Sequence, residues 1–168
     1  MIKSFDGKDP KISESAFISR TALIIGDVHI GDESGIWPGV VIGADFAPVR
    51  IGRLTIIEDN CVVHCGSLME IGDNVIVGHS VVLHGKKIGN NTLIGSNSTI
   101  LDNSEIGDYC VISAGSVVSP GMKIPDRSFV VGIPGKIQKE IKAGVMKRLV
   151  AGNKSYLPFF EKYKAAGV

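Results

Sequence analysis

The sequence predicts an all-β fold: a left-handed parallel β-helix of about seven triangular coils, ending in an α-helical tail. Three observations carry that expectation. Aliphatic residues recur at six-residue steps, most visibly around the dipeptide Ile-Gly at 25, 30, 42, 51, 71, 88, 94 and 106. Position i+4 of the repeat is small or short at Ser34, Thr55, Cys61, Ser67, Thr92, Ser98, Ser104, Cys110, Ser116 and Ser128. Glycine is abundant, with 21 residues in 168, while aromatics make up only 6 %. Neither the period of 2 of a strand nor the period of 3.6 of a helix explains a spacing of six. A six-residue unit fits a short flat strand and a corner. Three such units close one coil of about 18 residues, and successive coils pair as parallel strands about 4.8 Å apart. Left-handed coiling of this kind is the known exception to right-handed crossovers.

Along the chain, Met1–Pro10 carries Lys3, Asp6, Lys8 and Asp9, which is not the composition of a signal peptide. The register runs through Ile30, Ile36 and Ile42, then Ile51, Ile57 and Val63, then Ile71, Val77 and Leu83. It continues with Ile88, Ile94, Ile100, Ile106, Ile112, Val118, Ile124 and Val130. These residues point into the prism, and about seven coils fit between residues 12 and 132. Cys61 and Cys110 occupy small i+4 slots and read as core filler. The register slips twice: eight residues separate Val63 from Ile71, and five separate Leu83 from Ile88. After Pro134 the apolar spacing becomes helical at Ile137, Ile141, Val145 and Leu149, followed by Tyr156, Phe159, Phe160 and Tyr163. One or two amphipathic helices are expected in 136–166, with breaks at Gly152 and Pro158. The expected organisation is a β-helix over 1–135 and a helical segment over 136–168 packed on it.

Composition excludes several classes. Eighteen basic residues against 17 acidic ones leave a net charge of +1, without the basic stripe that nucleic acid or an anionic membrane would need. Apolar runs such as Ala22–Ile25 and Phe129–Val131 are far too short to span a bilayer. Three cysteines, Cys61, Cys65 and Cys110, form no disulfide framework, so a reducing cytoplasm is the simplest expectation.

The chemistry gathers at the slips. His64 follows Val63 and His84 follows Leu83, so both stand at i+1 and point outward where i points inward. Their units occupy the same face of successive coils, which stacks the imidazoles about 4.8 Å apart, within chelating distance of one metal ion. His79 stands at i+2 of Val77 on the preceding face and points up to about 120° away. In a threefold oligomer, His79 of one subunit meets the His64–His84 pair of the next. A stacked pair could also be merely solvated, but three of the four histidines cluster here, within 21 residues. His29 shares none of this and reads as a surface residue.

The run Ile57-Glu58-Asp59-Asn60 leading to Val63-His64, with Val77-Gly78-His79 and Leu83-His84-Gly85, resembles the metal motifs of the γ-class carbonic anhydrase family. Asp45 to Pro48, Arg50-Ile51-Gly52 and Gly132-Ile133-Pro134-Gly135-Lys136 are similar to bacterial and archaeal members, ferripyochelin-binding-protein-like chains included. The likeness covers nearly the whole chain, and its specific part is the three-histidine spacing. It implies a homotrimer with metal shared between subunits: His64 and His84 from one chain, His79 from its neighbour. Zn2+ is the default ion, with Fe2+ or Co2+ also compatible with imidazole ligands. Three neutral imidazoles leave the ion its full charge and an open position, which lowers the pKa of water toward about 7 for attack on carbon dioxide. The implied reaction is reversible hydration of carbon dioxide to bicarbonate, with Glu58, Asp45, Asp59 and Tyr156 as the site residues beside the ligands.

Several positions depart from the family. Gly43-Ala44-Asp45 stands where an Arg-Gly-Asp or Arg-Ala-Asp is usual, so a guanidinium is missing one coil before His64. Glu58-Asp59 replaces Gln-Asp, and an ionised Glu only accepts hydrogen bonds where Gln also donates. Phe46 stands where a shuttle glutamate is expected, and the loop Cys65–Glu70 has Glu70 as its only acid. Asp45 and Arg50 read equally as an intersubunit ion pair, Asp59 as a residue orienting backbone or an Arg, and Tyr156 as a packed ring. Slow turnover follows from these departures. Two other readings stay open: a hexapeptide acyltransferase using acyl-CoA, and a non-catalytic metal-binding or assembly protein.

Overall fold

The computed structural model describes all 168 residues. It is a left-handed parallel β-helix with three faces. The first face stacks the leading half of strand Val41–Ile51 on Val62–His64, Val82–Leu83, Thr99–Ile100 and Val117–Val118. The second stacks the trailing half of Val41–Ile51 on Met69–Ile71, Lys87–Ile88, Glu105–Ile106 and Lys123–Ile124. The third carries seven parallel strands, from Phe17–Ile18 to Ser128–Val131. Every aliphatic of the six-residue register from Ile30 to Val130 is at most 4 % exposed.

Two side-chain devices explain the repeat. At the i+4 slots, buried hydroxyls turn inward at the corner and donate to carbonyls of the next coil, as Ser34 Oγ does to Gly52 O (2.8 Å) and Thr55 Oγ1 to Gly72 O (2.8 Å). The same slot also takes a buried valine at Val40, Val75 and Val81, so it demands a short side chain, and a hydroxyl adds the cross-coil bond. The glycine of Ile-Gly clears space for an Asp or Asn one coil away. A Cβ at Gly107 would lie 2.3 Å from Asp126 Oδ1, the atom that accepts the Asp108 amide at 2.8 Å. Asp73, Asn90, Asp108 and Asp126 repeat that bond down one corner.

Three expectations need correction. The register slips at three places rather than two, because nine residues separate Ile42 from Ile51. There, Leu23–Ile30 and Val41–Ile51 run continuously round the corner and join the first two faces into one sheet. All three slips lie in this same corner. Ser67 is exposed, since the two extra residues after Val63 carry it outward and Met69 takes the buried place. The tail does not begin as a helix. Lys136–Glu140 is a strand pairing antiparallel with Ser128–Val131, where it covers the otherwise open end of the third-face sheet.

Helix α1 (Ala143–Gly152) and helix α2 (Leu157–Ala165) follow, joined by a 3-10 turn at Asn153–Tyr156. Gly152 keeps helical dihedrals, and Pro158 sits in the first turn of α2, where its missing N–H costs nothing. The tail lies on the third face, with Phe160 stacked on Phe17 at 5.3 Å and Trp37 and Ile56 completing the cluster. Fully buried Asn153 anchors it, donating to Leu54 O (2.7 Å) and Val75 O (2.9 Å). No helix is long and apolar enough to cross a membrane.

Candidate functional site

The corner between the first two faces carries His64 and His84 as direct cross-coil neighbours, because Val63 pairs with Leu83 in register. Their ring centroids are 5.4 Å apart, and His64 Nδ1 lies 3.2 Å from His84 Nε2. Two nitrogens bound tetrahedrally to one ion at about 2.0–2.1 Å stand about 3.3 Å apart. The outer nitrogens face carboxylates. Asp45 Oδ1 is 3.0 Å from His64 Nε2, and Asp102 Oδ1 is 2.9 Å from His84 Nδ1.

A neutral imidazole has one N–H and one lone pair, and a carboxylate accepts only. The two outer nitrogens therefore donate, and the two facing nitrogens both present lone pairs. Such a contact is satisfied only by a shared cation, either a proton on one ring or an ion bound by both. The donor set fits a metal, since ligating histidines characteristically give their other N–H to a carboxylate or carbonyl.

His79 sits in a different corner, between the third and first faces, and engages a separate set of partners. Its Nδ1 is 3.0 Å from Asp59 Oδ2 and its Nε2 is 3.2 Å from Glu58 Oε2. The other Glu58 oxygen, Oε1, accepts the Tyr156 hydroxyl at 2.7 Å, which ties the tail to this corner. Burial, and then the adjacent Glu58 carboxylate, push the Tyr156 phenol well above its ordinary value, so it remains a donor. Its ring stands edge-on to Trp37 at 5.9 Å. Within one chain no three His, Cys, Asp or Glu side chains converge to hold an ion.

The remaining named residues fall into place around these clusters. Gly43 is the cross-strand partner of His64, and a Cβ there would lie 3.0 Å from His64 Cδ2. Phe46 is 80 % exposed and meets the His64 ring edge-on at 5.6 Å. Within one chain Asp45 and Arg50 do not pair with each other. Arg50 Nη1 bonds Asp27 Oδ1 at 2.8 Å within the same chain, and this bond holds the Asp27 carboxyl below its usual range. Within one chain the Asp59 carboxylate meets His79, and no arginine or backbone amide. His29 lies on the second face near Asp27, away from the other histidines. Asp102 was not expected at all. It stands eighteen residues after His84, and only the stacking of coils joins the two.

Comparisons with known proteins agree with this architecture. The family model for the bacterial transferase hexapeptide (six repeats) matches residues 85–120. A probable carbonic anhydrase of Methanocaldococcus jannaschii is 40 % identical over 152 residues, covering 89 % of this chain and 96 % of that one. A carbonic anhydrase of Geobacillus kaustophilus is 47 % identical over 64 residues, 38 % of this chain but only 35 % of that protein's length. Among solved structures, a hexapeptide transferase family protein of Anaplasma phagocytophilum superposes with a TM-score of 0.92 at 31 % identity, over 96 % of this chain and 97 % of that one. A putative acetyltransferase of Bacillus cereus gives 0.88 at 39 % identity, over 98 % and 97 %.

Proposed function

The chain belongs to the γ-class carbonic anhydrase family, and from that premise we propose that it hydrates carbon dioxide reversibly to bicarbonate at a metal centre shared between subunits of a homotrimer. The observation that carries the proposal is the facing pair of His64 Nδ1 and His84 Nε2, 3.2 Å apart, with Asp45 and Asp102 on their outer nitrogens. Those two nitrogens are the ligands from one subunit, and His79 of the partner subunit is the third. Asp59 takes the Nδ1 proton of His79, and Nε2, which stands 3.2 Å from Glu58 Oε2 in the single chain, becomes the coordinating atom once the ion displaces that contact.

Zn2+, or Fe2+ or Co2+ in its place, supplies when bound a positive charge and an open position at which water is acidified to a pKa of about 7. Hydration releases one proton, and Glu58 Oε2 is the acceptor this chain offers beside His79. Tyr156 occupies Oε1, so Glu58 presents one oxygen in a fixed direction. Asp45 orients His64, and Phe46 walls one side of the pair with an apolar ring. With Gly43 and Glu58 in the usual places of Arg and Gln, two donors that favour the charged transition state are absent, so turnover is slow.

The apolar outward column of the first face supports the assembly. Val41, Val62 and Val82 are neighbours on successive coils and are 37–39 % exposed, with nothing of this chain over them. The test is carbon dioxide hydration by protein purified anaerobically and loaded with one defined metal. Metal-dependent turnover lost on chelation and restored on reloading is the expected result. Acyl transfer is the second reading, favoured by the Bacillus cereus structural neighbour. Turnover of acetyl-CoA by metal-free protein, without carbon dioxide hydration by the loaded form, would move the assignment there.

A further inference from the structure

We propose that Asp102 is a positioning residue that fixes the His84 imidazole with its proton on Nδ1 and its lone pair on Nε2, aimed at His64. The inference rests on the metal-centre reading, but its geometry is independent of which ion is bound. Asp102 Oδ1 lies 2.9 Å from His84 Nδ1, and a carboxylate at that distance can only accept the N–H. Without it, the ring is free to place its proton on Nε2, and the lone pair needed between the two rings is lost.

The fold explains why this carboxylate can hold the ring still. Asp102 lies in a corner turn whose backbone is fixed from both sides. Its carbonyl accepts the Gly121 amide at 2.7 Å, and Asn103 beside it adopts a left-handed φ of 57°. Above it the corner is the tightest of the stack. Only His84, Gly85 and Lys86 separate Leu83 from the next strand, at Lys87–Ile88. The His84 amide is itself bonded to Ile100 O at 2.8 Å, two residues before Asp102. Backbone and side chain of His84 are thus both tied to the same coil beneath. The five-residue step therefore has a use: it shortens the corner, and Asp102 reaches His84 with no intervening loop. The arrangement also makes the pair asymmetric, since Asp45 takes Nε2 of His64 whereas Asp102 takes Nδ1 of His84.

The Asp102 side chain is 56 % exposed, so its removal leaves the core intact. The experiment compares wild-type protein with Asp102→Ala and Asp102→Asn, measuring zinc affinity by competition with a chelator. The His84 tautomer is read from imidazole ¹⁵N shifts in the metal-free protein at alkaline pH, where neither ring carries an extra proton. Asp102→Ala should weaken zinc binding by about 10–100-fold and convert His84 from the Nδ1–H form to a mixture. Asp102→Asn, which keeps an acceptor oxygen, should fall between the two. Unchanged affinity and unchanged tautomer in Asp102→Ala would overturn the proposal while leaving the metal centre standing. If wild type binds no zinc, the metal-centre reading fails instead. The tautomer then decides alone: loss of the Nδ1–H form in Asp102→Ala supports positioning, and its persistence refutes it.

Discussion

The first and second faces of the prism bury the same kind of residue, Ile42, Val63 and Leu83 on one and Ile51, Ile71 and Ile88 on the other. Their outward columns differ completely. On the first face the stacked neighbours are Leu23, Val41, Val62, Val82, Thr99 and Val117. On the second they are Lys11, His29, Arg50, Glu70, Lys87, Glu105 and Lys123. Inward positions specify the coil and are interchangeable between faces. Outward positions specify what each face meets. A ladder of charges, with Glu105 paired to Lys86, is content in water. A column of valines is not, and it runs beside the histidine pair.

The largest effect expected from this contrast is on assembly. Val62→Asp with Val82→Asp should convert particles of three 17.8 kDa chains into monomers, read by light scattering, and bound metal should be lost with them. Lys87→Asp on the second face should leave the mass unchanged. A double Asp variant that stayed trimeric would refute the first face as the interface. One position further along the strand, inward Leu83→Ala should instead cost about 2–5 kcal/mol of stability with assembly retained.

Next come the ligands. Ala at His64, His79 or His84 should each remove most of the bound metal while the coils stay folded, since none of the three fills the core. His29→Ala, on the charged face, should leave metal content as it was. Full occupancy in His79→Ala would mean the third ligand has been misassigned.

Turnover is the third contrast. Gly43→Arg with Glu58→Gln restores a cation and a donor on the histidine side, and a well-placed donor is worth about a hundredfold in rate. Gly43 has no left-handed φ, so a side chain is conformationally allowed. His64 must still yield a few tenths of an ångström, because the new Cβ would stand 3.0 Å from its ring. Melting curves should accompany the kinetics. A double variant that folds, binds metal and stays as slow as the parent would favour a non-catalytic role.

The smallest effect is on the second face, in acid. The Arg50 hydrogen bond lowers the Asp27 carboxyl, so that contact adds stability above the unfolded value of about 3.9. The contribution is lost as pH falls through the lowered folded value. Desolvation and then Arg50 lower His29, so the unfolded chain binds its proton first, and stability declines as pH drops below about 6.5. Asp27→Asn and His29→Asn should each flatten part of the acid limb of a stability–pH curve without touching metal content.

The coil itself was legible in the sequence because one inward residue per strand has to be aliphatic, and a period of six survives in a single chain. Ser67 was misplaced because an insertion shifts the phase of every position after it until the next strand resets the count. The strand at Lys136–Glu140 was hidden since Ile137 and Ile141 also satisfy helical spacing, and only the open sheet end beside them decides. His64 and His84 could be read as a pair from register alone. Their carboxylates could not: Asp45 lies in the stretched nine-residue step and is named only through the family resemblance, and Asp102, one coil below, depends on corner lengths rather than periodicity. Tyr156 reaches Glu58 from ninety-eight residues away, a contact only the docked tail creates.

Native mass spectrometry of the zinc-loaded protein tests the central claim most directly, since one spectrum reports both assembly and metal. The expected species is a trimer carrying three ions, falling to a metal-free trimer in His79→Ala. A monomer, or a wild-type trimer that takes up no metal, would contradict a centre built from His64 and His84 of one subunit and His79 of the next.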